Sequence, residues 1–392
     1  DNELLEIRYS GKPAAFLRAF KAGYFAILYN FIVMGWVINA MASVVSVMLN
    51  MDKWTAVWLC VTIAVVYAIL SGFWGVVITD IVQFFIAMFG SIALAIIALN
   101  HVGGMDTLLQ ELSNLLGTEI IHENTLKFIP PVPDNSMSSL SFWESPFSKF
   151  LIFITVMWWS HHGTDGGGYI IQRMSSAKNE KHALLATLWF NLAHYAVRVW
   201  PWIIVGVVSI VMFPVIPDSY SELGTKAGYP LVMNMLLGPG MKGILIVSFL
   251  AAFMSTIDTH LNWGASYIIN DIYKRFFKPN ESERHYVIVS KVITVILMIL
   301  AAFTALKMQS ISKAWAFIFS MGAGIGLVLI LRWFWWRINA WSEITALSTS
   351  ILITILLETL AWWQVSAKEG SYSLFGTEPV LFGVQIQVHH KL

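Results

Sequence analysis

The sequence predicts an all-α polytopic membrane protein, and three observations carry that prediction. Of 392 residues, 57% are hydrophobic and only 12% are charged, with a mean hydropathy of +0.68. Soluble domains carry about 25% charged residues and need them to keep their surface in water. The apolar residues also gather into long runs, and a helix of about 20 such residues crosses a ~30 Å hydrocarbon core. These runs do not alternate with the two-residue period of barrel strands. Lys and Arg number 24 against 23 Asp and Glu, and the net charge of +1 comes without a basic tract, which excludes a nucleic-acid partner. A single cysteine, Cys60, excludes a disulfide framework and any cysteine-based metal site.

Nine segments fit a span: 17–49, 54–71, 74–100, 150–171, 184–213, 240–270, 286–307, 314–334 and 343–363. The first follows a basic stretch with Arg8, Lys12, Arg18 and Lys21. The third and fourth are separated by a long loop, 101–149, where Pro130, Pro131 and Pro133 break any long helix and short interfacial helices are expected. Residues 1–363 form one transmembrane domain in this reading, and 364–392 are a polar, turn-rich tail with no assigned place. The chain opens Asp1-Asn2-Glu3-Leu4 without Met, and is expected to belong to a longer polypeptide with helices upstream.

Lys and Arg set the orientation. If 1–21 is cytoplasmic and each span crosses once, the cytoplasmic connections are 1–21, 72–73, 172–183, 271–285 and 335–342. With Arg332 at the last boundary they collect thirteen Lys and Arg, against nine spread over longer segments on the other side. The expected location is the plasma (inner) membrane, with the lipid bilayer as a partner.

Ionisable and helix-breaking residues inside spans are candidates for function. Asp80 lies near the start of the third span, with Gln83 one turn later. The fourth span contains Trp158-Trp159-Ser160-His161-His162-Gly163-Thr164-Asp165-Gly166-Gly167-Gly168. So many glycines beside an Asp argue against a continuous helix, and non-helical backbone at membrane depth persists only where it lines a cavity. Broken helices build solute sites in transporters because freed carbonyls and helix ends then face the ligand. Trp158, Trp159, Ser160, His161, His162 and Asp165 are therefore the solute-binding candidates. The two histidines are adjacent and point to different faces, which argues against a transition-metal pair.

The sixth span carries Ala252, Ser255, Thr256 and Thr259 on one helical stripe, followed by Asp258 and Asn262 four residues apart. Hydroxyls and carbonyls suit a hard cation such as sodium, which takes oxygen ligands. A packing role for the same stripe remains open at this point. Arg198, inside the fifth span, is expected to form an ion pair with Asp165 or Glu180. Gly322-Ala323-Gly324-Ile325-Gly326 lies mid-span without a preceding strand and reads as a small-residue packing face, not a dinucleotide loop.

Several separate segments together resemble the sodium:solute symporter family. Glu6-Ile7-Arg8-Tyr9-Ser10-Gly11 resembles its E-x-R-Y-G stretch, Thr79-Asp80-Ile81-Val82-Gln83 its T-D-x-x-Q motif, and Gln172-Arg173-Met174-Ser175-Ser176-Ala177-Lys178 its Q-R-x-x-x-A-K loop. Ala251 to Thr256 is similar to its sodium-site helix, with Asp271-Ile272-Tyr273-Lys274 at the cytoplasmic end. Arg332 to Glu343 is similar to a boundary segment of one branch. The resemblance covers about residues 1–345.

What the resemblance implies is a leucine-transporter-type fold of two inverted five-helix repeats working by alternating access. Segment 17–100 would be the remainder of the first repeat, 150–334 the second repeat, and 343–363 an extra helix. The first core helix would be absent, so this chain alone is not expected to transport. The implied function is sodium-coupled symport of a small polar organic solute, with Na+ as coupling ion, no organic cofactor and no enzymatic activity. Ala252 would offer its carbonyl to sodium, and Ser255 and Thr256 their hydroxyls. Asp80 would assist sodium release or a second ion. Positions Asp258 and Thr259 tend to be serines in members with two sodium ions, so one or two ions per cycle stays open. The glycine-rich fourth span departs from the sugar-transporting pattern, which leaves the solute open. Proton coupling through Asp80, Asp258 or His260 is one alternative, and a non-transporting solute sensor on the same fold is another. The oligomeric state is not legible.

Overall fold

A computed structural model describes residues 2–70, 73–115, 117, 127–132, 142–143, 145–160, 163–164, 167–308, 310–369, 380–381 and 384–385. Within these, the side chains of 69–70, 73–80, 168–169, 172 and 361 onward are outside the description. Apart from one short strand pair, β1 (Val380–Leu381) with β2 (Val384–Gln385), the described elements are helical.

A short helix, α1 (Asn2–Arg8), precedes α2 (Gly11–Leu49), which ends where Asn50 turns left-handed at φ 52°. There follow α3 (Lys53–Leu70), α4 (Phe73–His101) and α5 (Met105–Leu115). Helix α6 covers 146–160, α7 is Gly168–Ser175 and α8 is Glu180–Met212. A 3-10 stretch, Asp218–Ala227, leads into α9 (Gly228–Leu236). The last four are α10 (Pro239–Phe277), α11 (Glu283–Lys307), α12 (Ile311–Phe334) and α13 (Ala340–Glu369). Helix starts are written in the sequence. Ser145, Asn179, Ser282 and Ser310 each accept a hydrogen bond from the backbone N–H three residues on, satisfying a donor that the first turn leaves orphaned.

Seven helices among the described residues are long and apolar enough to cross a membrane, against nine expected. Segment 54–71 forms α3 (Lys53–Leu70), an apolar helix whose last residues lie at the edge of the described part. Segment 150–171 does not run through as one helix, because Gly163 and Thr164 form a turn and Gly167 is non-helical between α6 and α7. The loop 101–149 contributes α5, whose Leu108 and Leu112 are buried, as an interfacial helix should be. Of the tail, α13 runs on through Glu369, six residues past the expected end of its span.

Three cores hold the bundle. The first joins α2, α3, α10 and α11 through Met34, Ile38, Phe253, Ile257, Leu297 and Met298. The second packs α2 and α10 against α12 and α13 through Phe25, Trp263, Tyr267, Met321 and Leu347. The third places α4, α5, α8 and α9 beside α10 around Leu94, Val205, Met233 and Leu245. Helix α10 belongs to all three and is the axis of the molecule. Small residues allow the close crossings. A Cβ at Gly35 would stand 2.8 Å from Thr304 Cγ2, and one at Gly90 2.8 Å from Leu245 Cδ2.

Candidate functional site

The site grows from α10. Its outward flank carries exposed Ala252 with half-buried Ser255, Thr256 and Thr259, while Phe253, Ile257 and Leu261 turn into the first core. Thr256 Oγ1 donates to the Ala252 carbonyl at 2.9 Å, so two oxygens sit side by side on the open flank. The Thr256 hydroxyl keeps lone pairs for a further partner, whereas the Ala252 carbonyl accepts from both the hydroxyl and the helical N–H of Thr256. The two oxygens are uncharged, the kind of donor that suits a hard monovalent cation. Asp258 is 1% exposed and lies inside the bundle rather than on that flank. Thr259 is engaged: Arg173 Nη2 donates to its Oγ1 at 2.9 Å. That bond brings α7, the helix after the break, against α10. The side chain of Asp80, on α4, lies outside the described residues. Its neighbour Gln83 has a buried side-chain carbonyl with no hydrogen-bond partner among the described residues.

The break itself follows the glycine-rich sequence. The described part of α6 reaches Ser160, Gly163 and Thr164 form a turn, and Gly167 adopts φ 69°, a conformation favouring glycine. The Thr164 hydroxyl donates back to the Trp159 carbonyl that the broken helix leaves free. His161, His162 and Asp165 lie outside the described residues. Of the remaining solute candidates, Ser160 is 2% exposed with a hydroxyl that has no partner among the described residues. The Trp159 indole N–H donates to the Thr155 carbonyl, and Trp158 is 66% exposed. Gly326 explains why the backbone can lie so close to α12. A Cβ there would collide with the Trp159 and Ser160 carbonyl oxygens. Gly324, two residues earlier, allows a similar approach to α13, its N–H donating to Ser350 Oγ at 2.8 Å. The Gly322–Gly326 stretch is thus a packing face, as expected, and its partners are the helix break and α13.

Three arrangements were not legible. His260 Nδ1 lies 2.7 Å from Asn30 Oδ1, and Asn30 Nδ2 donates to the His260 carbonyl at 2.7 Å, which ties α10 to α2. With Asn30 Oδ1 as acceptor, the ring carries its hydrogen on Nδ1. Of the partners expected for Arg198, Glu180 does not pair with it and Asp165 lies outside the described residues; its guanidinium lies 5.1 Å from the Trp202 ring centroid. Apolar surroundings favour the flat face of an indole over a second buried charge.

The third is a set of ionic contacts that engages three of the motifs. Arg18 meets Asp271 at 2.6 Å and Glu6 at 2.8 Å, and Asn2 Nδ2 donates to Asp271 at 3.0 Å. Arg275 meets Glu6 at 2.6 Å. Tyr9 Oη donates to Glu343 at 2.7 Å, and Arg332 reaches the same carboxylate at 3.2 Å. Burial, and then the Glu343 carboxylate, raise the Tyr9 phenol above its ordinary pKa, so it remains a donor at physiological pH. At another edge of the bundle, Lys226 Nζ donates to Asn39 Oδ1 at 3.0 Å and Lys53 Nζ to the Met308 carbonyl at 3.3 Å.

An all-helical membrane bundle with a mid-span helix break beside an oxygen-rich helix face defines a secondary-transporter type of architecture. The sequence profile of the Sodium:solute symporter family matches residues 2–352, and the chain belongs to that family. Its relatives are transporters, not enzymes. They include the osmoregulated proline transporter OpuE of Bacillus subtilis, 24% identical over 78% of this chain and 58% of that protein. The sodium/mannose cotransporter of Bos taurus is 24% identical over 86% of this chain and 58% of its own length. Sodium/glucose cotransporter 4 of Danio rerio is 24% identical over 90% and 55%. The chain therefore spans a little over half the length of these relatives. The fold is also that of a Na+-coupled sialic acid symporter solved in a substrate-bound, outward-open state, with TM-score 0.61 at 17% identity, over 91% of this chain and 76% of that one.

Proposed function

We propose that this protein carries out sodium-coupled symport of a small polar organic solute across the plasma membrane by alternating access, with residues 1–21 cytoplasmic. Sodium sits at the Ala252 carbonyl and the Ser255 and Thr256 hydroxyls. Asp80, Asp258 and Thr259 serve ion release or a second ion. The solute lies at the break, against Trp158, Trp159, Ser160, His161, His162 and Asp165. Residues 1–363 act as one transporter domain, with 17–100 from the first repeat, 150–334 the second, 343–363 an added helix and 364–392 a tail. The required partners are Na+ and the solute, with no organic cofactor.

The observation that carries this reading is the contact between α7 and α10 through Arg173 and Thr259. It ties α7, the helix that follows the break, to α10 one turn past Thr256, whose hydroxyl bonds the Ala252 carbonyl. An entering sodium ion contributes about 2.3 kcal/mol per 100 mV of membrane potential, enough to drive solute uphill. Sodium coupling is also favoured over proton coupling through His260, whose ring is held against Asn30 in the wall between α10 and α2.

Thermal stability of the full-length protein, scanned against amino acids, sugars and organic acids in sodium and in choline buffer, tests the proposal. A ligand that binds only the folded state raises stability by mass action. One solute class is expected to stabilise in sodium and not in choline. Stabilisation that follows pH and ignores sodium would move the assignment to proton coupling.

A further inference from the structure

We infer that Arg173 is the cytoplasmic gate of the ion path, a side chain that closes the route between the sodium cluster and the cytoplasm by sitting on Thr259. The inference rests on the sodium reading above and adds a residue that the sequence motifs alone do not assign to the path.

The path is written along one flank of α10. Below Ala252, Ser255 and Thr256 comes Thr259, and the same flank continues with Asn262, Ser266 and Asn270. The spacings of three and four residues keep these oxygen-bearing side chains in line, turn after turn. Asn262, Ser266 and Asn270, with Lys274 and with Glu283 and Ser290 of α11, line a groove of about 340 Å³. The groove ends among Lys274 and Glu283, a pair 3.7 Å apart in the segment assigned to the cytoplasmic side. Uncharged amides and hydroxyls on successive turns suit a partly hydrated monovalent cation, which exchanges one weak oxygen ligand for the next and is not trapped.

Thr259 is the point where this line is closed. Arg173 Nη2 donates to its hydroxyl at 2.9 Å, and the guanidinium is both an obstacle and a fixed positive charge. It stands one turn from the Thr256 and Ala252 oxygens, in partly buried surroundings where like charges repel far more strongly than in water. While that bond holds, a sodium ion at the cluster meets a cation on its way to the groove. When α7 swings away, Thr259 regains a free oxygen and the line from Thr256 to Asn270 becomes continuous. Helix α7 starts at the helix break, directly after Gly167. A change in what fills the solute site thus moves the gate, which ties ion release to solute occupancy without a second moving element.

The test uses the full-length protein in proteoliposomes, with radioactive sodium as the probe and no solute added. Arg173→Gln removes the charge and keeps a donor, while Thr259→Val removes the acceptor and leaves the charge. Solute-independent sodium uptake is expected to rise about tenfold in Arg173→Gln and by a smaller factor in Thr259→Val, while Arg173→Lys stays near the wild type. Sodium-dependent thermal stability, read in sodium against choline, is expected to persist in Arg173→Gln and Arg173→Lys. Wild-type leak rates in both Arg173→Gln and Thr259→Val, with sodium-dependent stability retained in Arg173→Gln, would overturn the gate and leave the symport reading standing. Loss of sodium-dependent stability in Arg173→Gln would make Arg173 a support of the binding site and would likewise overturn the gate. A wild-type protein with no sodium-dependent stability would overturn the symport reading itself.

Discussion

Asn39 concentrates three interactions in one fully buried amide. Its Nδ2 donates to the carbonyls of Ala305 and Met308, both at 2.8 Å, and its Oδ1 accepts from Lys226 at 3.0 Å. It thereby caps the end of α11, whose last carbonyls have no helical partner. Lys226 is the cost of that arrangement. Burial, and then the positive charge of Lys53, lower its pKa from 10.5 to about 8. Below pH 8 the folded and unfolded chains both hold the proton, and the unfavourable buried charge weakens the fold in full. Between about 8 and 10.5 the unfolded chain holds a proton that the folded one has lost, so stability rises with pH across that window. The melting temperature of the wild type relative to Lys226→Gln is accordingly expected to climb from pH 8 to pH 10, measured by tryptophan fluorescence in detergent. A flat difference would show that the ammonium is as well solvated folded as unfolded. None of this was legible beforehand. Asn39 stands amid an apolar span, and its partners lie 187 to 269 positions away, so only the tertiary fold reveals them.

At the scale of elements, the helix break was legible because glycine is costly in a helix interior and the fourth span gathers several of them. What the break packs against was not. Gly326 was readable as belonging to a small-residue face, yet nothing in the sequence pairs it with Trp159 and Ser160. Gly326→Ala is expected to push α12 off the break at ~1–3 kcal/mol, the usual cost of overpacking, and to reduce transport more than expression. Gly206→Ala, where an added Cβ meets nothing within 4 Å, is the matched control. Equal transport by the two variants would mean that α12 yields freely there. The wide π-type turns at Tyr24–Tyr29, Phe153–Met157, Leu192–Val197 and Ile268–Phe277 also escaped the sequence reading. One extra residue in a turn leaves the apolar pattern almost unchanged, so periodicity does not register it.

At the scale of the molecule, charge told more than hydropathy. The Lys and Arg asymmetry assigned 1–21, 271–285 and 335–342 to one side, and the network of Arg18, Glu6 and Asp271 with Tyr9, Arg332 and Glu343 gathers residues at or beside these three segments. Segments 50–53 and 218–223, assigned to the opposite side, line a common cavity of about 360 Å³ elsewhere. Hydropathy counted 150–171 as one span, whereas the described residues there form two helices with a turn between them, because hydropathy does not sense a helix break. The central claim concerns the oxygen stripe of α10, and one measurement meets it directly: sodium activation of solute uptake in Ser255→Ala and Thr256→Ala of the full-length protein. Loss of an oxygen that contacts a charge costs ~1.5–3 kcal/mol, so the sodium concentration for half-maximal uptake is expected to rise roughly tenfold or more in each. An unchanged sodium dependence in both variants would contradict the account.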